Sequence, residues 1–320
     1  MRTALTRLFP RHSRLASTLK PSPRASSPFA AYLHTTPSPQ MKIVPVLVRE
    51  DNYAYLVIDS AHPTKGVFVD PYTLSTVQDR ARKEAVEDVV GCITTHHHHD
   101  HSGGNADFAN AYPSAPIYGG SDQVPKRTHP VQDGSSFPLF PGSSIKVTCH
   151  ATPCHTQDSI AFFLEDEREK IGEGEVKRGV FTGDTLFVSG CGRFFEGEPH
   201  EMDTALNKVL ASLPDDTIVY CGHEYTRSNV AFSLGVLPNR PAIQALAEFV
   251  RSGKNGGVTT GQFTIGDEKK HNVFMLVRDA EVAERMGLGG AEGKQGAADP
   301  IEVMRALREA KNAGKMLAKI

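Results

Sequence analysis

The sequence predicts an α/β layered domain followed by a smaller, helical one, and three observations carry that reading. Between residues 41 and 223, short β-branched and aromatic runs alternate with helical stretches. From about residue 224 the strand signal gives way to amphipathic helix. The residues with chemistry to offer stand where apolar strands run out, which is where layered α/β folds gather their sites.

Composition sets the bounds. A chain of 320 residues with 39% apolar content can bury one large core or two modest ones. No apolar run approaches the ~18 residues of a membrane-crossing helix. A formal charge of −2 gives no electrostatic case for a nucleic-acid partner. Five scattered cysteines (Cys92, Cys149, Cys154, Cys191, Cys221) are an odd number in a long chain. They read as small buried residues in a reducing compartment, not as a disulfide framework.

Taken in order, residues 1–40 carry Arg2, Arg7, Arg11, Arg14, Lys20 and Arg24 and no acid; the first is Glu50. With serine, threonine and proline filling the rest, this is the composition of a mitochondrial transit peptide, although Pro10 interrupts the amphipathic helix such peptides form. Met41 could itself start a shorter cytosolic form. "KIVPVLV", "YAYLVID" and "KGVFVDP" follow as strands bounded by turn residues. "TVQDRARKEAV" has helical spacing, and "VEDVVGCITT" is a buried strand running straight into a histidine cluster. After the "HSGGNADFANAYP" helix come the strands "APIYGG", "SIKVTCH" and "SIAFFLED", then "KRGVFTGDTLF" and "DDTIVYCGHEY". The charged stretch 165–178 reads as a solvated insertion. In the helical part, 224–320, "RPAIQALAEFVRSG" and "DPIEVMRALREAKNAGKMLAKI" are helices. The second opens on Asp299-Pro300-Ile301-Glu302, read as a capping box with proline in the first turn. The Gly/Ala-rich stretch 287–299 between them reads as a mobile loop.

The chemistry starts at "TTHHHHDH", where five of the fourteen histidines fall within six positions. His96, His98 and Asp100 alternate, so an extended segment would point them to one side, with His97 and His99 facing away as spacers or supporting groups. Imidazoles and a carboxylate without thiolate suit zinc, iron or manganese. His155 in "TPCHTQDS", Asp184 in "FTGDTL" and His223 in "YCGHEYT" each follow a strand. One such residue alone is more often an ordinary core or surface group. Three of them beside the cluster point to a metal site.

Thr95-His96-His97-His98-His99-Asp100-His101 resembles the T-H-x-H-x-D-H signature of the metallo-β-lactamase superfamily. "TPCHT", "FTGDTLFVSGCGRFFEG" and "YCGHEYT" resemble, more narrowly, the glyoxalase II (hydroxyacylglutathione hydrolase) family. The likeness runs from about Met41 onward, with insertions near 165–178, 252–270 and 287–298. It implies a four-layer αβ/βα sandwich over 41–223 with a C-terminal α-helical domain over 224–320. Two divalent ions would sit at the open edge, zinc first with iron or manganese as alternatives. His96, His98 and His155 would hold one, Asp100, His101 and His223 the other, and Asp184 would bridge. Asp184 and Asp100 would then be the catalytic carboxylates. The implied reaction is hydrolysis of an S-(2-hydroxyacyl)glutathione, typically S-D-lactoylglutathione, to D-lactate and glutathione, the second step of methylglyoxal detoxification, by a monomer. Arg193, Tyr225, Arg308 and Lys311 would contact the glutathione thioester. Arg193 stands where a lysine is also found, and Phe195 departs from a tyrosine found in some members. The rival readings are a mononuclear-iron persulfide dioxygenase and a non-catalytic glutathione- or metal-binding module.

The leader reading has a direct test. Residues 1–40 fused to a fluorescent reporter should carry it into mitochondria, while a chain starting at Met41 should stay in the cytosol. A cytosolic reporter bearing the leader would reduce it to a basic tail.

Overall fold

The computed structural model describes residues 41–168, 176–289 and 298–320. The expected leader lies outside them, as do the middle of the 165–178 insertion and most of the 287–299 loop. The first sheet holds six strands in chain order: β1 (Met41–Leu47), β2 (Tyr53–Asp59), β3 (Lys65–Val69), β4 (Asp88–Ile93), β5 (Ile117–Gly119) and β6 (His129–Pro130). After it come β7 (Ser136–Pro138), β8 (Ile145–Ala151), β9 (Ile160–Asp166) and β10 (Arg178–Gly183). The small hairpin of β11 (Leu186–Phe187) and β12 (Gly190–Cys191) precedes β13 (Ile218–Cys221). The second sheet has the order β13-β10-β9-β8-β7.

The two sheets lie face to face, and the strands show it in their own alternation. In β2, Tyr53, Tyr55 and Val57 point into the core between the sheets, while Ala54, Leu56 and Ile58 point to the outer side. In β9, Ile160, Phe162 and Leu164 face inward and Ala161 and Phe163 outward. A strand apolar on both faces reads as a continuous hydrophobic run, which is why "YAYLVID" and "SIAFFLED" show so little polar alternation. Tyr55, Phe181 and Tyr220 fill the middle of the sandwich, with ring centroids 5.1–5.5 Å apart. The buried Tyr55 hydroxyl donates to the Cys221 carbonyl at 2.5 Å and meets Thr260 Oγ1 at 2.7 Å, so its polar end is satisfied.

Helices cover both outer faces. Over the first sheet lie α1 (Leu74–Lys83), through Leu74, Val77 and Ala81, and α3 (Asn105–Ala111), through Phe108, with the single turn α2 (His99–Ser102) before α3. The outer face of the second sheet shares a core with α4 (Pro199–Thr204), α5 (Thr226–Val236), α6 (Pro241–Arg251), α7 (Ile265–His271), α8 (Ala280–Arg285) and α9 (Pro300–Asn312). The result is helix, sheet, sheet, helix. None of the described helices is long and apolar enough to cross a membrane.

One local expectation is corrected and another is met. Asp299 does cap α9, accepting from the Ile301 N–H at 2.9 Å, but Glu302 faces Arg305 at 3.5 Å instead of closing a capping box. Capping boxes are found instead on α4, between Glu198 and Glu201, and on α7, where Thr264 and Asp267 satisfy each other's backbone N–H groups. All five cysteines are buried and free. Burial pushes the Cys149 and Cys221 thiols up to about 12, which removes them as nucleophiles at neutral pH.

Strand direction places the site. β3 and β4 run parallel, as do β10 and β13, and two antiparallel steps from β10 through β9 bring β8 into the same sense. Residues that follow β8, β10 and β13 therefore emerge at one edge of the second sheet. Backbone bonds stitch that edge to the first sheet: Tyr53 N–H to Gly222 at 2.8 Å, Ile160 N–H to Thr95 at 2.9 Å, and Glu224 N–H to Asp51 at 2.8 Å.

Candidate metal centre

Five imidazoles and two carboxylates meet at this edge. His98 Nδ1 lies 3.2 Å from His96 Nε2 and 3.0 Å from His155 Nε2. Asp184 Oδ1 is 3.3 Å from His101 Nε2, and its Oδ2 is 3.3 Å from His223 Nε2 and 3.5 Å from His155 Nε2. Asp100 Oδ2 stands 3.5 Å from His223 Nε2. Three groups have metal-ligand spacing: His96/His98/His155, His96/His101/Asp184 and Asp100/His101/His223.

The backbone reaches this arrangement in a way that alternation alone does not give. β4 ends at Ile93, and residues 95–97 form a bend, not a strand. His96 and His98 turn inward with His97 aside, as expected. Asp100 and His101 arrive through the helical turn of α2, which brings adjacent residues to the same centre. On the other sheet, Gly183 adopts φ +49° at a register shift in β10, where a side chain would meet Thr95 Oγ1 at 2.7 Å. Gly222 leaves free the space where a Cβ would lie 2.2 Å from Asp184 Oδ1. The glycines of "TGD" and "CGH" are thus what lets Asp184 and His223 close on the same point.

Proton positions follow from the outer partners. His155 Nδ1 has only the Arg193 carbonyl, at 3.0 Å, and must donate to it. His101 Nδ1 meets Asp70 Oδ2 at 2.9 Å, and His223 Nδ1 meets Asp51 Oδ1 at 3.0 Å. Thr95 Oγ1 gives its proton to Asp70 at 2.6 Å and so accepts from His96 Nδ1 at 3.1 Å. With the Nδ1 protons fixed outward, the Nε2 atoms of His101, His155 and His223 converge within 3.5 Å on the Asp184 carboxylate, and His96 is grouped with them. Lone pairs against a buried carboxylate repel unless a cation lies among them. Among the described residues, buried His101 Nε2 and Asp184 Oδ1 have no hydrogen-bond partner. The spacing fits as well: a tetrahedral ion with ligands at ~2.1 Å has edges of roughly 3.4 Å. The donor set therefore fits divalent cations of the zinc, iron or manganese type.

Charge tells the same story. Burial holds His96, His98 and His155 below the ordinary imidazole range, leaving their lone pairs free to bind. Burial opposes ionisation of Asp184, but His101 and His223 hold it well below the carboxylate range. Burial would likewise neutralise His101 and His223, yet the Asp184 charge pushes both upward. A field that would hold a proton on those nitrogens holds a metal cation equally, since the two compete for one lone pair.

Several contributors were not legible beforehand. Asn52 Nδ2 donates to Asp100 Oδ2 at 3.2 Å and fixes that carboxylate's rotation. Asp51 and Asp70 orient His223 and His101, from positions far away in the chain. His97 is no idle spacer: its Nδ1 lies 2.9 Å from Asp158, which also accepts from Ser121 and Thr156 at 2.8 Å. His99 is exposed and rests its ring edge on Tyr72.

Beside the metal cluster opens a cavity of ≈ 570 Å³ lined by His98, Asp100, His155, Asp184 and His223 at one end and Arg308 and Lys311 at the other. That size suits a small organic ligand. Tyr225 stacks on the His223 ring at 4.7 Å and meets Phe187 edge-on. Phe195, 61% exposed, lies against the His98 and His155 rings. Arg193 stands exposed at the mouth. The structure thus brings nine of the eleven residues singled out in the sequence to the walls of one cavity, with His96 and His101 buried behind them among the ligand groups.

A family model of the metallo-β-lactamase superfamily matches residues 47–223, and one of the hydroxyacylglutathione hydrolase C-terminus matches residues 224–314. A probable hydroxyacylglutathione hydrolase of Schizosaccharomyces pombe is 43% identical, over 82% of this chain and 94% of its own. The cytoplasmic hydroxyacylglutathione hydrolase of Arabidopsis thaliana is 39% identical, over 85% of this chain and 98% of its own. Among solved structures, ETHE1 from Myxococcus xanthus matches with a TM-score of 0.54 at 23% identity, covering 86% of this chain and 98% of that one. That last likeness is one of fold.

The geometry separates ligands from neighbours within the histidine run. His98→Ala should lose about one metal equivalent by elemental analysis, whereas His99→Ala should keep full metal content. Equal loss in the two variants would mean that the run binds metal in another geometry.

Proposed function

We infer the reaction from the family: the chain belongs to the hydroxyacylglutathione hydrolases of the metallo-β-lactamase superfamily, and it hydrolyses S-(2-hydroxyacyl)glutathione thioesters to the 2-hydroxy acid and glutathione. The natural substrate of this reading is S-D-lactoylglutathione, giving D-lactate. The acid-free leader supports a mitochondrial site of action, with a cytosolic form from Met41. The observation that carries the binuclear reading is the convergence of three Nε2 atoms on Asp184 between two three-ligand groups. His96, His98 and His155 would hold one ion, and Asp100, His101 and His223 the second, with Asp184 between them. A mononuclear-iron dioxygenase has no use for the second group.

Two bound divalent ions, zinc in this reading, would lower the pKa of a shared water and polarise the thioester carbonyl. The chain's own residues do the rest. Asp184 would supply negative charge to both ions, and Asn52, donating to Asp100 Oδ2 at 3.2 Å, holds that carboxylate's rotation. Tyr225 and Phe187 wall the cavity beside His223. The leaving thiolate, whose conjugate acid has a pKa of about 8.5, departs without a dedicated acid.

At the far end Arg308 and Lys311 have no ion-pair partner among the described residues, a pair of cations held for an anion from outside. Their roles differ, however. Arg308 is 6% exposed, donates to the Cys191 carbonyl at 3.1 Å and lies over the Phe274 ring. It braces the segment that leads to Arg193, so its loss should disturb the fold as well as recognition. Lys311 is freer, touching only the Ser228 carbonyl at 3.4 Å and the Phe232 face. Burial first, and then Arg308, pushes the Lys311 ammonium down to about 8.

Two experiments test the reading. Asp184→Ala should abolish thioester turnover and take bound metal to one equivalent or less; near-normal kcat with both metals would remove Asp184 from its central place. Lys311→Ala should raise KM for the glutathione thioester about tenfold to a hundredfold, the worth of a charged hydrogen bond. A thioester lacking the tripeptide should be unaffected. Because the amine is charged only below its pKa, wild-type KM should climb above about pH 8, and Lys311→Arg should flatten that rise.

A further inference from the structure

We infer that residues 314–320 form a strap along the substrate cavity and that Leu317 on it makes an apolar contact with the peptide part of the bound thioester. The inference rests on the glutathione reading of that cavity. The strap begins where α9 ends. Gly314 takes φ +64°, its N–H donates to the Lys311 carbonyl at 3.1 Å, and Lys315 N–H donates to Ala310 at 2.9 Å. This glycine-ended pairing turns the chain back across the helix end.

Beyond the turn the segment alternates. Met316, Ala318 and Ile320 pack against the helical core, and Leu317 and Lys319 face out. Ala318 N–H donates to the Ala231 carbonyl on α5 at 2.9 Å, pinning the strap to that helix. The seat is shaped for it: at Gly235 of α5, a Cβ would lie 1.5 Å from the Met316 carbonyl oxygen. With its neighbours held inward, Leu317 is left 54% exposed and lines the cavity near Lys311. Phe195, Tyr225 and Leu317 are three of the five large apolar side chains left exposed among the described residues, and all three line this cavity. Isolated apolar residues on a surface mean little, but their convergence on one cavity marks a ligand surface. An apolar group beside Lys311 also displaces water and strengthens the ion pair the lysine makes with a carboxylate.

Gly235→Ala is the sharpest test, since alanine favours the helix itself while its methyl evicts the strap. KM for the glutathione thioester should rise roughly fivefold, the order expected from uncovering about half of one leucine against a ligand. Affinity for free glutathione, by calorimetry, should fall by the same factor, with kcat and metal content held. Lys315 and Lys319 should become cleavable by trypsin. Leu317→Ser should reproduce the loss of affinity and Leu317→Met should restore it, independently of how Gly235→Ala folds. Wild-type KM and glutathione affinity in both Gly235→Ala and Leu317→Ser, alongside an active wild type, would overturn the strap alone. A wild type that neither cleaves the thioester nor binds glutathione would overturn the glutathione reading, and the strap's role with it.

Discussion

A carboxylate as enclosed as Asp184, 8% exposed at the meeting of two sheets, is costly to ionise unless positive charge meets it from within. Much of the surrounding architecture answers that requirement. β8, β10 and β13 deliver their ends to one edge, and the sheet-to-sheet bonds at Tyr53, Ile160 and Glu224 hold that edge closed. Gly183 and Gly222 let the backbone come near enough for Asp184 to sit between His101 and His223. The Arg193 carbonyl and the Asp51 and Asp70 carboxylates then fix the outer protons of three imidazoles, so that the inner nitrogens offer lone pairs. Divalent cations compete with protons for those inner nitrogens, which makes metal binding part of the stability of this edge.

The helical part is tied to this centre through the β11–β12 hairpin. Asn229 donates to the Val188 carbonyl at 3.0 Å, Asn272 to Gly190 at 3.0 Å, and Arg308 to Cys191 at 3.1 Å. Glu268, fully buried on α7, accepts from Ser189 N–H at 2.9 Å, where the chain has φ +57°. A non-glycine residue in that region is strained, and the surrounding clamp over-determines it. The hairpin spans from Asp184 to the Arg193 carbonyl that orients His155. Helices that line the cavity thus also set the geometry of the metal-ligand candidates.

The layered α/β domain was legible because its strands are apolar on both faces and end in turn residues, and a metal site because imidazole and carboxylate at strand ends have few other uses. The four-layer sandwich and the full ligand set, His101 included, came from the family likeness. What escaped has a common physical cause. Asn52, Asp51 and Asp70 are separated by tens of residues from the groups they orient, and a hydrogen bond across that span leaves no local pattern. The alternation rule placed His96 and His98 correctly but could not bring Asp100 and His101 in together, because that takes a helical turn. Spacing on α9 paired Arg308 with Lys311 as equals. Only burial and backbone bonding reveal one as a brace and the other as a free cation.

The cavity is therefore polar at two ends for opposite reasons. Near Asp184, negative charge and lone pairs await cations; near Lys311, positive charge awaits an anion. Within the described chain the Asp184 end is met only by imidazoles and the Lys311 end by no ion-pair partner, and each arrangement costs stability that a purely structural protein would recover with an apolar or neutral residue. A ligand that joins them must carry anionic groups at one end and an electrophilic carbonyl at the other, with an apolar span between to match Tyr225, Phe187 and Leu317. A glutathione thioester has that order of groups along its length. On the proposed reading, the substrate's charge would be read at one end of the cavity and its bond broken at the other, so that recognition and chemistry would rest on different residues.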